Sequence, residues 1–261
     1  MKIATWNVNS LAVRLPQVLD WLAANPVDVL CLQELKLSDD KFPLQALADA
    51  GYPHCAVFGQ KTYNGVALLS RLPLRNVVKN IAGFSDEQSR VIAATLDTPQ
   101  GELRLVNGYF VNGQAPGTDK FDYKMRWLDG LRNCLREDLT VHPKLVLVGD
   151  FNITLDDRDT WDAEGLRETI HHTTEEREHL KALLGLGLHD AFRQFEQPEK
   201  SYSWWDYREF AFRRNRGLRI DYILVSDALK PALQSCVIDK LPRKNERPSD
   251  HAPVVAQLDS L

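Results

Sequence analysis

Eight short runs rich in valine, isoleucine and leucine punctuate the chain: KIATW, VDVLCL, GVALLS, VIAATL, LRLVNGY, KLVLVG, RIDYILV and APVVAQL. Their length and β-branched content mark them as buried strands. Strands that are apolar on both faces need cover on both sides, which two sheets packed face to face with helices outside provide. Helical spacing appears between some of them. Leu15, Val18, Leu19 and Leu22 form one apolar stripe, and Phe121, Leu128, Leu131 and Leu135 form another within 119–139. A third helix is expected over 175–185, with Leu180, Leu183 and Leu184 on its apolar face and Thr173 and Glu176 at capping-box spacing. No linker, low-complexity stretch or repeat interrupts the chain, so residues 1–261 are expected to form one α/β domain.

Composition narrows the function classes. With 44% hydrophobic and 26% charged residues, a chain of 261 residues has the material for a sizeable core. Its longest apolar runs, such as LVLV at 145–148, fall far below the roughly 18 residues of a membrane span. The start, MKIATWNVNS, lacks the uninterrupted apolar stretch of a secretory signal, so a cytoplasmic protein without membrane contact is expected. Cys31, Cys55, Cys134 and Cys236 are scattered with no C-x-x-C spacing and read as reduced thiols, with neither zinc nor disulfides. A net charge of −4 argues against coating nucleic acid by charge alone. Any such binding must be local, at basic stretches such as RRNRGLR (213–219) and RKNER (243–247).

The strands run, one after another, into residues that carry chemistry: Asn7 and Asn9, Glu34, Tyr109, then Asp150 and Asn152, with Asp221 inside its own strand. Turns recruit glycine, asparagine, aspartate or serine. Glu34 and Tyr109 are poor turn residues, so turn formation does not account for the set. Near the end, Asp250 and His251 stand side by side between a proline and another apolar run.

Taken together, TWNVNS, LQELK, TYNGVALLS, NGYFVNG, GDFNI, GLRIDYILVS and PSDHAPV resemble the exonuclease III family of DNA-repair nucleases, within the endonuclease/exonuclease/phosphatase superfamily. The resemblance spans residues 2–258. It implies a four-layered α/β sandwich of two packed mixed sheets flanked by helices, and an Mg²⁺- or Mn²⁺-dependent phosphoesterase. Its expected substrate is double-stranded DNA with abasic sites, nicks or blocked 3′ ends, and a monomer is expected. A catalytically silent nucleic-acid-binding relative need not keep Glu34, Asp150, Asn152, Asp221 and His251, all of which are present here. A lipid or inositol phosphatase of the superfamily fits GLRIDYIL and TYNGVALLS less well.

The chemistry explains why these residue types are wanted. Hydrolysing a phosphodiester takes a hard cation, an activated water and donors that meet the developing charge. Glu34 is the first candidate metal ligand, helped by Asn7 and, as the family suggests, by Asp250; Asn152 and His251 complete the candidate set. Asp150 can orient or deprotonate water, alone or as ligand of a second metal, and Asn152 can hold the water or a phosphoryl oxygen. By the resemblance, His251 contacts the scissile phosphate while Asp221 accepts its other ring N–H. A protonated His251 would stabilise phosphate charge by on the order of 3 kcal/mol, and Tyr109 is a phenolic donor to the same phosphate.

Asn9, Lys61, Asn112, Lys120 and Lys124 are candidate DNA contacts, and Arg213, Arg214 and Arg216 are candidates for a groove. Trp204 and Trp205 are expected to wall a nucleotide pocket with Leu218 and Ile220, with at least one of the two tryptophans packing in the core. One departure from the family stands out. Aligning Glu176-Arg177 with the family's Glu-Arg puts His171 and His172 where many abasic-site endonucleases carry a small residue and a phenylalanine. An imidazole at 171 would fill the cavity that receives an extruded abasic sugar, favouring 3′-phosphatase and 3′-5′ exonuclease work over abasic-site incision. If His171 does not block the pocket, a full abasic-site endonuclease is expected.

Overall fold

All eight apolar runs form strands. The computed structural model describes residues 1–259 and 261. Its first strands are β1 (Lys2–Asn7), β2 (Val29–Gln33), β3 (His54–Phe58), β4 (Val66–Ser70), β5 (Arg75–Lys79), β6 (Val91–Thr98) and β7 (Gly101–Tyr109). They are followed by β8 (Leu145–Asp150), β9 (Leu188–Asp190), β10 (Trp204–Trp205), β11 (Gly217–Leu218), β12 (Asp221–Ser226), β13 (Leu233–Ile238) and β14 (Val254–Leu258). The α-helices are α1 (Leu11–Ala24), α2 (Leu44–Asp49), α3 (Asp119–Val141) and α4 (Thr174–Leu184). One six-stranded sheet has the order β13-β14-β1-β2-β4-β3 and the other β5-β6-β7-β8-β12-β9, while β10 and β11 pair apart. No helix among the described residues is long and apolar enough to cross a membrane.

The sheets share a plan that no sequence repeat announces. In each, one parallel pair at the centre, β1 with β2 and β7 with β8, is flanked on both sides by antiparallel strands. Pairing sense is a property of backbone direction, so two unrelated sequences can follow one plan. Parallel strands run the same way and end together, which brings their C-terminal residues to one edge.

Three apolar clusters separate four layers. Ile3, Cys31 and Leu68 of the first sheet meet Ile92, Leu105, Val148 and Ile223 of the second. On the outer face of the first sheet, Trp6 and Leu30 pack on Val18, Trp21 and Leu22 of α1. On the outer face of the second, Val106, Leu147 and Leu224 pack on Leu128 and Leu135 of α3 and Leu180 and Leu183 of α4. Each fully buried aliphatic side chain contributes roughly 1.5–3 kcal/mol. This is the α/β sandwich expected from the sequence.

A buried polar tie joins the sheets beneath the strand ends. Gln33 on β2 donates to Asn107 Oδ1 on β7 at 2.8 Å and to Thr5 Oγ1 at 2.9 Å. Asn107 donates back to the Leu32 and Ala67 carbonyls, each at 3.0 Å. Amide groups with no access to water retain their hydrogen bonds only in one relative placement of the sheets.

Candidate active site

The two parallel pairs deliver their last residues to one place. Asn7 closes β1, Glu34 follows β2, Tyr109 closes β7 and Asp150 closes β8; Asp221, first in β12, stands opposite Asp150 in register. His251 enters just before β14 and forms a bridge with Trp204. One ligand atom each from Glu34, Asp150 and His251 lie within 4.8 Å of one another. Asn7 Nδ2 donates to Glu34 at 2.8 Å and to Asp150 at 2.9 Å, joining the carboxylates of the two sheets.

The local backbone is unusual, and glycine makes part of it possible. Gly149 has φ +147°, and a Cβ there would lie 1.8 Å from the Gly108 carbonyl oxygen, so only glycine can precede Asp150 at this close crossing of β7 and β8. Asn9, Glu34, Asn152 and His171 all hold positive φ without being glycine, at 44°, 52°, 51° and 72°. Such conformations cost of order 1 kcal/mol or more each and gather where side-chain placement matters more than local ease.

His251 is held from one side and aimed from the other. Its Nδ1 lies 2.8 Å from Asp221 Oδ2, which also accepts from Ser203 Oγ at 2.7 Å, and its Nε2 lies 3.6 Å from Asp150. Burial works against a charged ring, yet Asp221, then Asp150 and Asp250, outweigh it and push His251 up to about 10. With Nδ1 against Asp221, Nε2 is the ring atom that faces Asp150. For Asp150, burial is the largest cause; His251 opposes it, Asp221 and Glu34 add to it, and the carboxyl is pushed up to about 8. A buried carboxyl so reluctant to ionise among other acids marks a place suited to a cation. Burial, with Glu34 and Asp150 beside it, holds the Tyr109 phenol well above its usual range, so it remains a donor, and the Arg90 guanidinium lies 5.0 Å over its ring.

Other expected site residues sort into three groups. Asn152 belongs to the centre: its backbone N–H donates to Asp150 Oδ1 at 3.0 Å and its side chain to the Phe110 carbonyl at 3.0 Å. Asn7 faces the two carboxylates through its amide N–H, while its Oδ1 accepts the Asn9 N–H at 3.0 Å. Asp250 is not brought into the group; its two oxygens accept from Trp204 Nε1 at 2.9 Å and Asn9 Nδ2 at 3.3 Å.

Two clefts carry most of the remaining expectations. One, of about 420 Å³, is lined by Trp161, Ile170, His171, Trp204, Arg216 and Leu218. The other, of about 530 Å³, is lined by Tyr63, Asn64, Arg90, Asn112, Lys120 and Tyr123. Lys61 and Arg213 are exposed. Two expectations are corrected. Trp205 does not wall the cleft: it is fully buried against Phe212, with Nε1 on Asn215 at 3.0 Å, and is the core tryptophan expected of the pair, while Trp204 keeps the cleft. Lys124 is also fully buried and contacts no solvent, its ammonium consumed by Glu176 and two carbonyls. Ser203, which orients Asp221, carried no signal beyond its neighbours in YSWW.

His171 occupies a defined place. Its Nδ1 lies 2.6 Å from the Asn152 carbonyl, which can only accept, so the proton is on Nδ1. Burial, then the nearby Lys124 charge, hold the ring down at about 3, leaving it neutral.

The description "Endonuclease/Exonuclease/phosphatase family" matches residues 4–251. Exodeoxyribonuclease III of Haemophilus influenzae is 34% identical over 267 residues, covering 99% of this chain and 100% of the relative. Among solved structures, a 3′ phosphatase from Neisseria bound to a product DNA hairpin is 50% identical, with both chains covered in full and a TM-score of 0.96. An AP endonuclease from Archaeoglobus fulgidus is 33% identical at the same coverage, with a TM-score of 0.94. The chain therefore belongs to the endonuclease/exonuclease/phosphatase family, among its exodeoxyribonuclease III-like members.

Proposed function

We propose that this nuclease/phosphatase is a divalent-metal-dependent enzyme of duplex DNA that removes 3′-phosphates and trims 3′ ends, and that it incises abasic sites weakly. The observation that carries the preference is His171. Its imidazole lines the cleft beside Trp204 and Leu218 and is tied through Nδ1 to the backbone of Asn152. Its φ of +72° is one that glycine adopts freely. A ring fixed there occupies space that an extruded abasic sugar needs, whereas a 3′-terminal phosphate reaches the centre without full extrusion. The 50% identity to a protein described as a 3′ phosphatase supports the same reading.

Glu34 and Asp150 offer the hard oxygen donors that suit Mg²⁺ or Mn²⁺. Bound there, the cation would neutralise phosphate oxygens and lower the pKa of a bound water. The protein's own groups do the rest. Asp150 accepts the proton of the attacking water, and Asn152 orients that water. His251, its Nδ1–H committed to Asp221, donates from Nε2 to a phosphoryl oxygen, and the neutral Tyr109 phenol donates to another. Lys61, Asn112 and Lys120 on one side and Asn9, Arg213, Trp204 and Leu218 on the other would hold the duplex across the centre. The chain would act as one catalytic unit, a monomer, in the cytoplasm.

The test is a panel of duplexes carrying a 3′-phosphate at a nick, a recessed normal 3′ end or an abasic-site analogue, with products resolved by length and end group. Phosphate release and trimming are expected with Mg²⁺ and not with EDTA. Glu34→Ala is expected to lower kcat about 10³-fold or more, matching the several kcal/mol a correctly held cation contributes. Undiminished turnover in excess chelator would sink the metal mechanism.

A further inference from the structure

Beneath the centre lies an ion pair that the chemistry above does not use. Lys124 of α3 and Glu176 of α4 are both fully buried and paired with each other. The Lys124 ammonium also donates to the Asn152 carbonyl at 2.8 Å and the Asn112 carbonyl at 3.1 Å. Glu176 Oε1 accepts the His171 N–H at 3.1 Å, and Oε2 accepts from Thr173 at both N and Oγ1, at 3.1 and 2.8 Å. The ring closes through His171, whose Nδ1–H reaches the same Asn152 carbonyl. Space is reserved for it: a Cβ on Gly113 would come within 2.9 Å of Lys124 Cδ.

A buried charge pair is a poor source of stability, because desolvation offsets most of the attraction. Its use must be sought in what it holds. Here three separate loops converge on one ammonium–carboxylate unit: that of Asn112 after β7, that of Asn152 after β8 and that of His171 before α4. We propose that Lys124 and Glu176 are positioning residues that lock the Asn152 loop to the His171 loop. One buried network then sets both the rate of phosphoester hydrolysis and the exclusion of abasic sites. The second half rests on the reading of His171 given above; the first half does not.

The test uses the full chain carrying Lys124→Met with Glu176→Gln, a neutral pair that leaves no uncompensated charge, alone and combined with His171→Gly. Folding is checked by near-ultraviolet circular dichroism. In the otherwise unaltered chain, kcat for 3′-phosphate release is expected to fall at least ten-fold, with KM for the duplex within two-fold. The ratio of abasic-site incision to phosphate release is expected to rise at least five-fold. In the His171→Gly background the kcat loss should remain, while the ratio should not change further. An unchanged kcat, or a ratio shift equally large without the imidazole, would overturn the coupling. If that pair does not fold, Lys124→Gln with Glu176→Gln, also neutral and able to keep a hydrogen bond between the two positions, carries the test, with a rise of about three-fold in the ratio expected and a flat ratio contradicting it. Should His171→Gly by itself leave the ratio flat, the reading of the block fails, while the kcat comparison still decides whether Lys124 and Glu176 position Asn152.

Discussion

Asp221 and His251 behave as one group. The carboxylate lies 2.8 Å from Nδ1 and is itself oriented by Ser203, so removing it frees the ring and lowers its affinity for a proton together. Asp221→Asn is expected to lower kcat roughly 10²-fold or more with little change in KM, and its combination with His251→Asn to cost less than the sum by about 1–3 kcal/mol. Fully additive losses in the double-mutant cycle would contradict the pairing. At this scale the sequence was a good guide to most of the polar residues at strand ends, Asp250 excepted. Glu34, Tyr109, Asp150, Asn152, Asp221 and His251 all meet. It was a poor guide where burial decides the role. A lysine in DKFDYK reads as surface until a carboxylate fifty-two positions away in the chain is seen against it, and Trp204 and Trp205 differ only in which face of a short strand each occupies.

At the scale of elements, apolar runs and helical stripes were legible because each reflects burial on a fixed period. Of the strands that escaped, β9, β10 and β11 are two or three residues long, too short to show a period, and the others are incompletely buried. The edge strand β5 is almost wholly exposed, β3 is half-buried, and β13 alternates irregularly, so none has the apolar density of a central strand. Helix α4 shows the opposite case. Its capping box, Thr173 with Glu176, is present as the spacing predicted, but Glu176 also carries the buried pair with Lys124. The two duties can be separated by mutation. Thr173→Ala removes the hydroxyl that accepts the Glu176 N–H at 3.0 Å and is expected to cost about 1 kcal/mol of stability, read from urea unfolding. Because Glu176 loses only one of several partners, phosphate release should change less than three-fold; a ten-fold loss would mean that the cap itself places the site.

At the scale of the molecule, two sheets of one plan face each other, each ends a parallel pair at the same edge, and the Gln33–Asn107 tie fixes their relative placement directly below. The centre is thus a property of the sandwich, while the selectivity proposed here would rest with the loops that rim it. With a net charge of −4, the DNA affinity proposed for the chain would have to come from local groups such as those around the two clefts. On the proposed reading, one imidazole on a left-handed backbone decides which DNA lesion this framework accepts. The most direct measurement is kcat/KM for abasic-site incision and for 3′-phosphate release, in parallel, for the wild type and His171→Gly. The φ of +72° favours glycine, which offsets part of the loss of the ring's hydrogen bond to Asn152, so the variant should still fold. Incision should rise at least ten-fold, about 1.4 kcal/mol in transition-state terms, with phosphate release changed less than three-fold; an unchanged ratio of the two activities would contradict the account.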